Sequence, residues 1–400
     1  MAHTRGIAGG VSLLIIVLAG SVYVLSTPHE PGNIQAKLSV MQVLGGATDG
    51  YARALEPRKF SFPQDHGPHP AYRTEWWYYT GNLETQSGRH FGFQLTFFRS
   101  ALVPQLAART SAWGTGQVYM AHLALTDVEN KRLYAFERFS RAALGLAGAQ
   151  AEPFRVWLED WSVEGAGQNG LPMRLRAREG EIDIDLSLQS MKPIVLQGDA
   201  GLSQKGPEAG NASYYYSLTR MPTQGTITVA DETFQVSGTS WMDREWSTSV
   251  LGKDQVGWDW FALQLSDGSE LMFFQLRNAS GETAAFRSGT LIRPDGETLR
   301  LKQDAVHLEV QEYWHSPRSA GDYPARWRLQ IPAENLAVEI IPYIPDQELS
   351  LSMSYWEGAV RVQGSVHGEA LQGHGYAELT GYHKRTGNRA GMDAGMGRSR

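Results

Sequence analysis

A hydrophobic pattern of period two, repeated along most of the chain, limits what this protein can fold into. In residues 90–97 the apolar side chains Phe91, Phe93, Leu95 and Phe97 alternate with small or polar ones. Successive side chains of a strand point to opposite faces, so this spacing makes a half-buried strand and cannot line one face of a helix. The same alternation recurs at 117–126, 154–161, 181–188, 213–219, 226–230, 258–265, 270–277, 290–293, 305–313, 325–331, 337–341, 359–366 and 375–382. Ser266-Asp267-Gly268 separates two of these runs and reads as a hairpin turn. Only residues 132–146 carry enough of a helical period to suggest a partly helical segment. The expected fold class is all-β. The 12 Trp, 16 Tyr and 14 Phe suit pleated surfaces and a pocket lined with rings.

The pattern also echoes itself. Trp77 to Leu83, a turn at Gly88 and Phe91 to Phe97 resemble Trp260 to Leu265, a turn at Gly268 and Leu271 to Leu276. Each is an aromatic strand, a glycine turn and a second aromatic strand with a glutamine, Gln94 or Gln275. Two similar β-barrels in tandem are the expectation. The break at 220–225 sets the boundaries: 1–26 a membrane anchor or signal segment, 27–59 a linker, 60–225 and 226–384 the barrels, 385–400 a disordered tail.

Residues 7–25 carry no charge and follow Arg5. The run is long enough for a transmembrane helix, and a cleaved signal is the alternative. The basic flank predicts a cytoplasmic N-terminus and an exported body, hence a cell-envelope protein, either membrane-anchored and facing the periplasm or secreted. The chain has no cysteine, which excludes disulfides, a thiol nucleophile and thiolate-bound metal. Net charge is −6 without a basic stripe, so no nucleic-acid partner is expected. Spacing offers no metal-ligand set, no Gly-x-Ser-x-Gly elbow and no phosphate loop.

Several blocks resemble a known family. They are Thr74-Glu75-Trp76-Trp77-Tyr78-Tyr79-Thr80-Gly81-Asn82, Gln94 to Arg99, Met120 to Asp127, Ser240-Trp241-Met242-Asp243-Arg244-Glu245-Trp246-Ser247, Gly257 to Phe261, Tyr355 to Val360 and Gly375 to Tyr382. Together they are similar to the predicted secreted hydrolases related to AttH and to the carotenoid 1,2-hydratases. The resemblance implies paired lipocalin-like barrels. It also implies cofactor-free acid catalysis on an apolar, isoprenoid or lipid-like molecule, as in the carotenoid relatives. The chain departs from the family where Arg244 stands at a position usually held by histidine. Arginine keeps its proton at any working pH, which puts a mechanism using that histidine in question.

The densest polar–aromatic cluster is Asp243-Arg244-Glu245-Trp246 with Trp258-Asp259-Trp260. Alternation puts Asp243 and Glu245 on one side and Arg244 on the other, and puts Asp259 on the face of Phe261, Leu263 and Leu265. A carboxylate buried inside a barrel would suit a general acid, with Trp246, Trp258, Trp260 and Tyr355 stabilising positive charge. Against this, an Asp-Arg-Glu triplet is commonly a structural ion-pair knot. Glu75, beside Trp77, is expected to pair with an arginine, with a catalytic base as the alternative, and Glu75, Trp77 and Arg244 are also candidate ligand contacts. His122 shares a face with Val118 and Met120, as a core histidine or a proton relay. Gln94 and Gln275 are candidate ligand contacts inside the barrels. Two functions follow: a cofactor-free hydratase or isomerase, or a binder of apolar molecules serving an envelope transport complex.

Overall fold

The computed structural model describes residues 48–105, 111–167, 169–249, 252, 254–278 and 283–382, all within one compact unit. The uncharged run at 7–25 and the tail at 385–400 lie outside the described residues. Among the described residues no helix is long and apolar enough to cross a membrane. The only helical turns there are two three-residue 3₁₀ segments, Gln64–His66 and Pro332–Glu334.

Two antiparallel sheets make up the body. The first contains β1 (Thr74–Glu84), β2 (His90–Ala101), β3 (Gln117–Asp127), β4 (Arg132–Arg141), β5 (Ala147–Gln150), β6 (Arg155–Leu158) and β7 (Trp161–Gly165). It continues with β8 (Met173–Glu179), β9 (Ile182–Leu188), β10 (Val195–Leu196), β11 (Leu202–Gln204), β12 (Ala212–Val229) and β13 (Glu232–Ser247). Its order is β4-β3-β2-β1-β13-β12-β9-β8-β7-β6-β5, with β10 and β11 on β12. The second contains β14 (Gln255–Leu265), β15 (Glu270–Asn278), β16 (Thr283–Ile292), β17 (Thr298–Leu301) and β18 (His307–His315). Next come β19 (Asp322–Ile331), β20 (Leu336–Pro342), β21 (Glu348–Ser350), β22 (Ser354–Val366) and β23 (Glu369–Thr380). Their order is β17-β16-β15-β14-β23-β22-β20-β19-β18, with β21 on β22.

Each sheet curls around its own core, giving the expected tandem lipocalin-like barrels. Phe91, Phe93, Leu95 and Phe97 point inward with Trp77 and Tyr79 in the first. Phe261, Leu263, Phe273 and Trp327 do so in the second. Each such side chain contributes roughly 1.5–3 kcal/mol on burial, so the alternation fixes which face is inside. These interiors are filled, which corrects the expectation of a ligand space within the barrels. The opposite faces of β1, β14 and β15 bring Tyr78, Trp260 and Phe274 together into a separate aromatic layer between the two sheets.

Three details of the sequence reading change. The sheets part between Ser247 and Gln255, not at 225/226. The break at 220–225 is a register shift between Leu218 and Met221, after which β12 runs on beside β13. Gly225 is needed there because a Cβ would meet the Asp185 carbonyl oxygen at 2.1 Å. Residues 132–141 form β4 and no helix; pairing with β3 overrides a weak helical period. Part of the proposed linker is also docked: Ala54 packs with Tyr214, Tyr216 and Trp246, and Tyr214 donates to the Glu56 carbonyl at 2.9 Å.

Candidate functional site

A narrow cavity of about 80 Å³ lies between the barrels. On the measure by which one water needs roughly 10–15 Å³, this holds a short file of waters or the end of a slender chain. The first sheet lines it with Trp76, Tyr78, Gln94, Thr96, Phe98, Tyr215, Asp243 and Glu245, joined by Lys205. The second supplies Trp258, Trp260, Phe274, Leu276, Tyr355, Glu357 and Glu378. Strand alternation sorts these residues. Asp243 and Glu245 of β13 face the cavity while Arg244 and Trp246 face away, as expected. On β22, Tyr355 and Glu357 face it while Trp356 enters the second core.

Four carboxyl groups therefore meet amid rings, with Lys205 the one cationic side chain among the described lining residues. Asp243 accepts hydrogen bonds from the Tyr215 hydroxyl at 2.6 Å, the Ser217 hydroxyl at 2.5 Å and the Trp241 indole at 2.7 Å. Burial lifts its pKa to about 7, although these three donors pull downward. An ionised carboxylate has about four acceptor sites, so one is left for water or substrate. Glu357 is wholly buried and accepts from the Tyr78 hydroxyl, while its second oxygen, Oε2, has no hydrogen-bond partner. Burial, with the neighbouring Glu378, pushes Glu357 well above the carboxylate range, and the Tyr78 bond offsets only part of this. It therefore holds its proton more tightly than an ordinary carboxyl group. Burial raises Glu378 to about 8 despite a hydrogen bond from Trp258. Glu245 accepts from Ser213 and pairs with Lys205 at 3.1 Å. The Lys205 ammonium sits 4.1 Å from the centre of the Phe274 ring. A cation is thus already held against this wall.

Behind β13, the residues that face away build an ion-pair plug at the end of the first barrel. Glu75 is wholly buried and bonded to both Arg99 and Arg244. Burial would raise its pKa, but the two guanidinium groups outweigh it and hold the carboxyl far below its usual range. Arg244 lies 3.9 Å from the Trp77 ring centre, and His69 stacks on Trp246 at 3.7 Å. Glu75, Trp77, Arg244 and Trp246 thus sit together in the plug and not in the cavity. The expected pairing of Glu75 with an arginine is found twice. The Asp243-Arg244-Glu245 triplet is not one knot, because its members face opposite ways.

Asp259 is also placed elsewhere. It shares the inward face with Phe261, as the alternation indicates, but it bonds to Arg277 at 3.0 Å, Gln275 at 2.8 Å and the Tyr382 hydroxyl at 2.8 Å. A guanidinium and two neutral donors engage both of its oxygens within the second barrel, which corrects the reading of a free acid there. Gln275 serves Asp259. Gln94 lines the cavity, its amide bonded to Thr96 and its Oε1 buried without a partner. His122 faces the second sheet, where its Nδ1 lies 2.7 Å from the Tyr355 hydroxyl, and burial lowers its pKa to about 3. Of the sequence candidates, Asp243, Glu245, Gln94, Trp258, Trp260 and Tyr355 converge on the cavity. Glu357, Glu378, Tyr78, Tyr215 and Lys205 were not singled out. The first three lie inside the recognised blocks, on alternating positions that could have flagged them.

A family model described as AttH-like matches residues 53–382. A solved structure described as an AttH of Nitrosomonas europaea is 36% identical, covers 83% of this chain and 99% of its own, and has a TM-score of 0.73. Kievitone hydratase of Fusarium solani subsp. phaseoli is 23% identical over 214 residues, 52% of this chain and 59% of that protein. The chain thus spans about three-fifths of the length of this curated relative. The crystal structure of kievitone hydratase from Nectria haematococca shares the fold, with a TM-score of 0.64 at 16% identity, covering 83% of this chain and 96% of that one.

Proposed function

The chain belongs to the AttH-like family, and on that premise we propose that it is a hydratase-type enzyme adding water to a carbon–carbon double bond in an apolar, isoprenoid or lipid-like molecule. The observation that carries this reading is the pairing of unlike carboxyl groups in one ring-walled cavity. Glu357 has its proton affinity raised by burial and one oxygen without a partner, and Asp243 titrates near neutrality. Two carboxyls whose surroundings separate their proton affinities divide into acid and base. The likeness to kievitone hydratase supports the same reaction class.

Glu357 delivers the proton from Oε2 to one alkene carbon, breaking its O–H bond and forming a C–H bond. The neighbouring carbon becomes positive, and the faces of Trp258, Trp260 and Phe274 stabilise it. Water adds to that carbon, and its surplus proton passes to the open acceptor site of Asp243. To complete the cycle Glu357 must regain a proton and Asp243 must lose one. The chemistry needs no group beyond these side chains. The cavity volume favours the end of a slender chain over a bulky ring system. The uncharged run at 7–25 supports placing the enzyme at the cell envelope, close to a membrane that holds such molecules.

The test is incubation of the purified protein with a panel of prenyl alcohols in isotopically labelled water, followed by mass spectrometry. Products that have gained one labelled water, and lose it in a Glu357→Gln variant, support the hydratase. Retention of an unchanged prenyl compound without turnover would instead support a carrier of apolar molecules.

A further inference from the structure

We infer that Tyr355, His122 and Glu137 form a proton relay connecting the buried carboxyl groups of the cavity to solvent. The inference rests on the acid–base reading of that cavity, and it adds how the acid is recharged. At the inner end, Tyr355 lines the cavity on the same face of β22 as Glu357. Its hydroxyl lies 2.7 Å from His122 Nδ1. The other ring nitrogen, Nε2, is buried and has no hydrogen-bond partner. It lies 3.9 Å from Glu137 Oε2, and the β3–β4 register sets His122 directly opposite Glu137. At the outer end, the Glu137 side chain is 23% exposed and is held by the Ser352 N–H at 2.8 Å and the Ser352 hydroxyl at 2.6 Å.

A wholly structural histidine normally satisfies both nitrogens. Here one is left facing a carboxylate just beyond hydrogen-bond range. That arrangement fits a neutral ring carrying its proton on Nδ1, with the Nε2 lone pair opposed to a Glu137 oxygen that already accepts from Ser352. Protonating Glu137 turns repulsion into an O–H···N bond and closes the gap. The other neighbours of the ring are Thr96, paired with it across β2 and β3, and Phe98, whose ring centre is 5.4 Å away. Neither titrates. Behind Tyr355 the titratable groups are Glu357, Glu378 and Tyr376.

In the inward pass, Glu137 O–H breaks as Nε2–H forms, and Nδ1–H breaks as a new Tyr355 O–H forms. The former Tyr355 proton then passes to Glu357. The ring is left in the opposite tautomer. An outward pass, carrying off the proton that water gave to Asp243, restores it. Hydration requires one passage of each kind per turnover, so protons balance and no co-reactant is needed.

The test does not depend on turnover. After a stopped-flow pH jump, the infrared carbonyl stretch of protonated buried carboxyls, assigned with Glu357→Gln, reports how fast the cavity titrates. Glu137→Gln should slow this roughly tenfold and leave its midpoint in place, and small carboxylic acids in the buffer should restore the rate. His122→Phe should do the same. If that variant fails to fold, Ser352→Ala, which frees the outer carboxylate, gives an intermediate rate. Wild-type kinetics in Glu137→Gln would overturn the relay even if prenyl compounds are hydrated. Slowed kinetics in a protein that hydrates nothing would keep the relay and remove the hydratase.

Discussion

Two buried glutamates, Glu75 and Glu357, have their proton affinities shifted in opposite directions within the same protein. Both are completely withdrawn from solvent. Glu75 has Arg99 and Arg244 against it and is held ionised. Glu357 has a tyrosine hydroxyl on one oxygen, nothing on the other, and a second acid nearby, so its proton affinity is pushed well above the carboxylate range. Burial alone therefore does not make a general acid; burial without a counter-charge does. The division is made within one strand. Neighbouring residues of β13 send Asp243 to the cavity and Arg244 to the plug, so one strand serves both reactivity and stability.

The largest effects should separate the two glutamates cleanly. Glu357→Gln keeps the shape and removes the transferable proton, so turnover should fall by about 10²–10⁴-fold while the unfolding midpoint holds. Glu75→Gln leaves two buried guanidinium groups without their carboxylate. It should cost about 3–5 kcal/mol in urea unfolding, the usual result of breaking a buried ion pair from one side. A Glu357→Gln protein that unfolds, beside a Glu75→Gln protein that does not, would reverse the assignment of roles.

Stability against pH sharpens the same contrast, because the two states carry opposite signs. Asp243 has a native pKa of about 7, above its ordinary 3.8. Between those values the native protein binds more protons than the unfolded chain, so this stability is complete below pH 3.8 and disappears as pH rises through 7. Glu378 acts in the same direction up to about pH 8. Glu75 is depressed, so its contribution is present above its ordinary 4.5 and fades as the solution is acidified below that. Urea midpoints measured across pH should show Asp243→Asn flattening the decline from mildly acid to neutral pH by up to roughly 4 kcal/mol. Glu75→Gln should flatten only the acid limb. An unchanged slope in Asp243→Asn would mean that Asp243 is ionised throughout.

How much of this is readable in the sequence follows from what alternation can say. It places Asp243 and Glu245 on one face and Arg244 on the other, and it puts Asp259 with Phe261. It does not say which faces meet. The catalytic candidates sit on the outward surfaces of two barrels, and those surfaces become a cavity only because Tyr78, Trp260 and Phe274 bury one another. Glu357 and Glu378 were visible inside the recognised blocks, but their desolvation arises from a wall contributed by a distant part of the chain. Asp259 misled for the converse reason, since its partner Arg277 is supplied across the β14–β15 hairpin. Arg244 also takes its meaning from this sorting of faces. Its side chain points to Glu75, so it belongs to the plug and not to the wall that carries Asp243 and Glu357.

The smallest expected effects concern the rings, and they complete the comparison. In the plug, Trp77 faces the permanent cation of Arg244. In the cavity, Phe274 faces the Lys205 ammonium, on the wall where a transient carbocation would form. An attraction of this kind contributes about 0.5–2 kcal/mol when desolvated. In the plug it should appear as stability, and in the cavity as rate. Trp77→Phe, which also removes the indole N–H bond to the His66 carbonyl at 2.8 Å, should lower the unfolding free energy by at least that amount with kcat unchanged. Replacing Phe274 by fluorinated phenylalanines keeps ring size while draining charge from its face. The kcat should then fall stepwise with each fluorine, by a few-fold up to roughly thirtyfold, while KM stays level. A kcat indifferent to fluorination would mean that no positive charge develops against this wall, and the alkene would have to be polarised by a route other than protonation at Glu357.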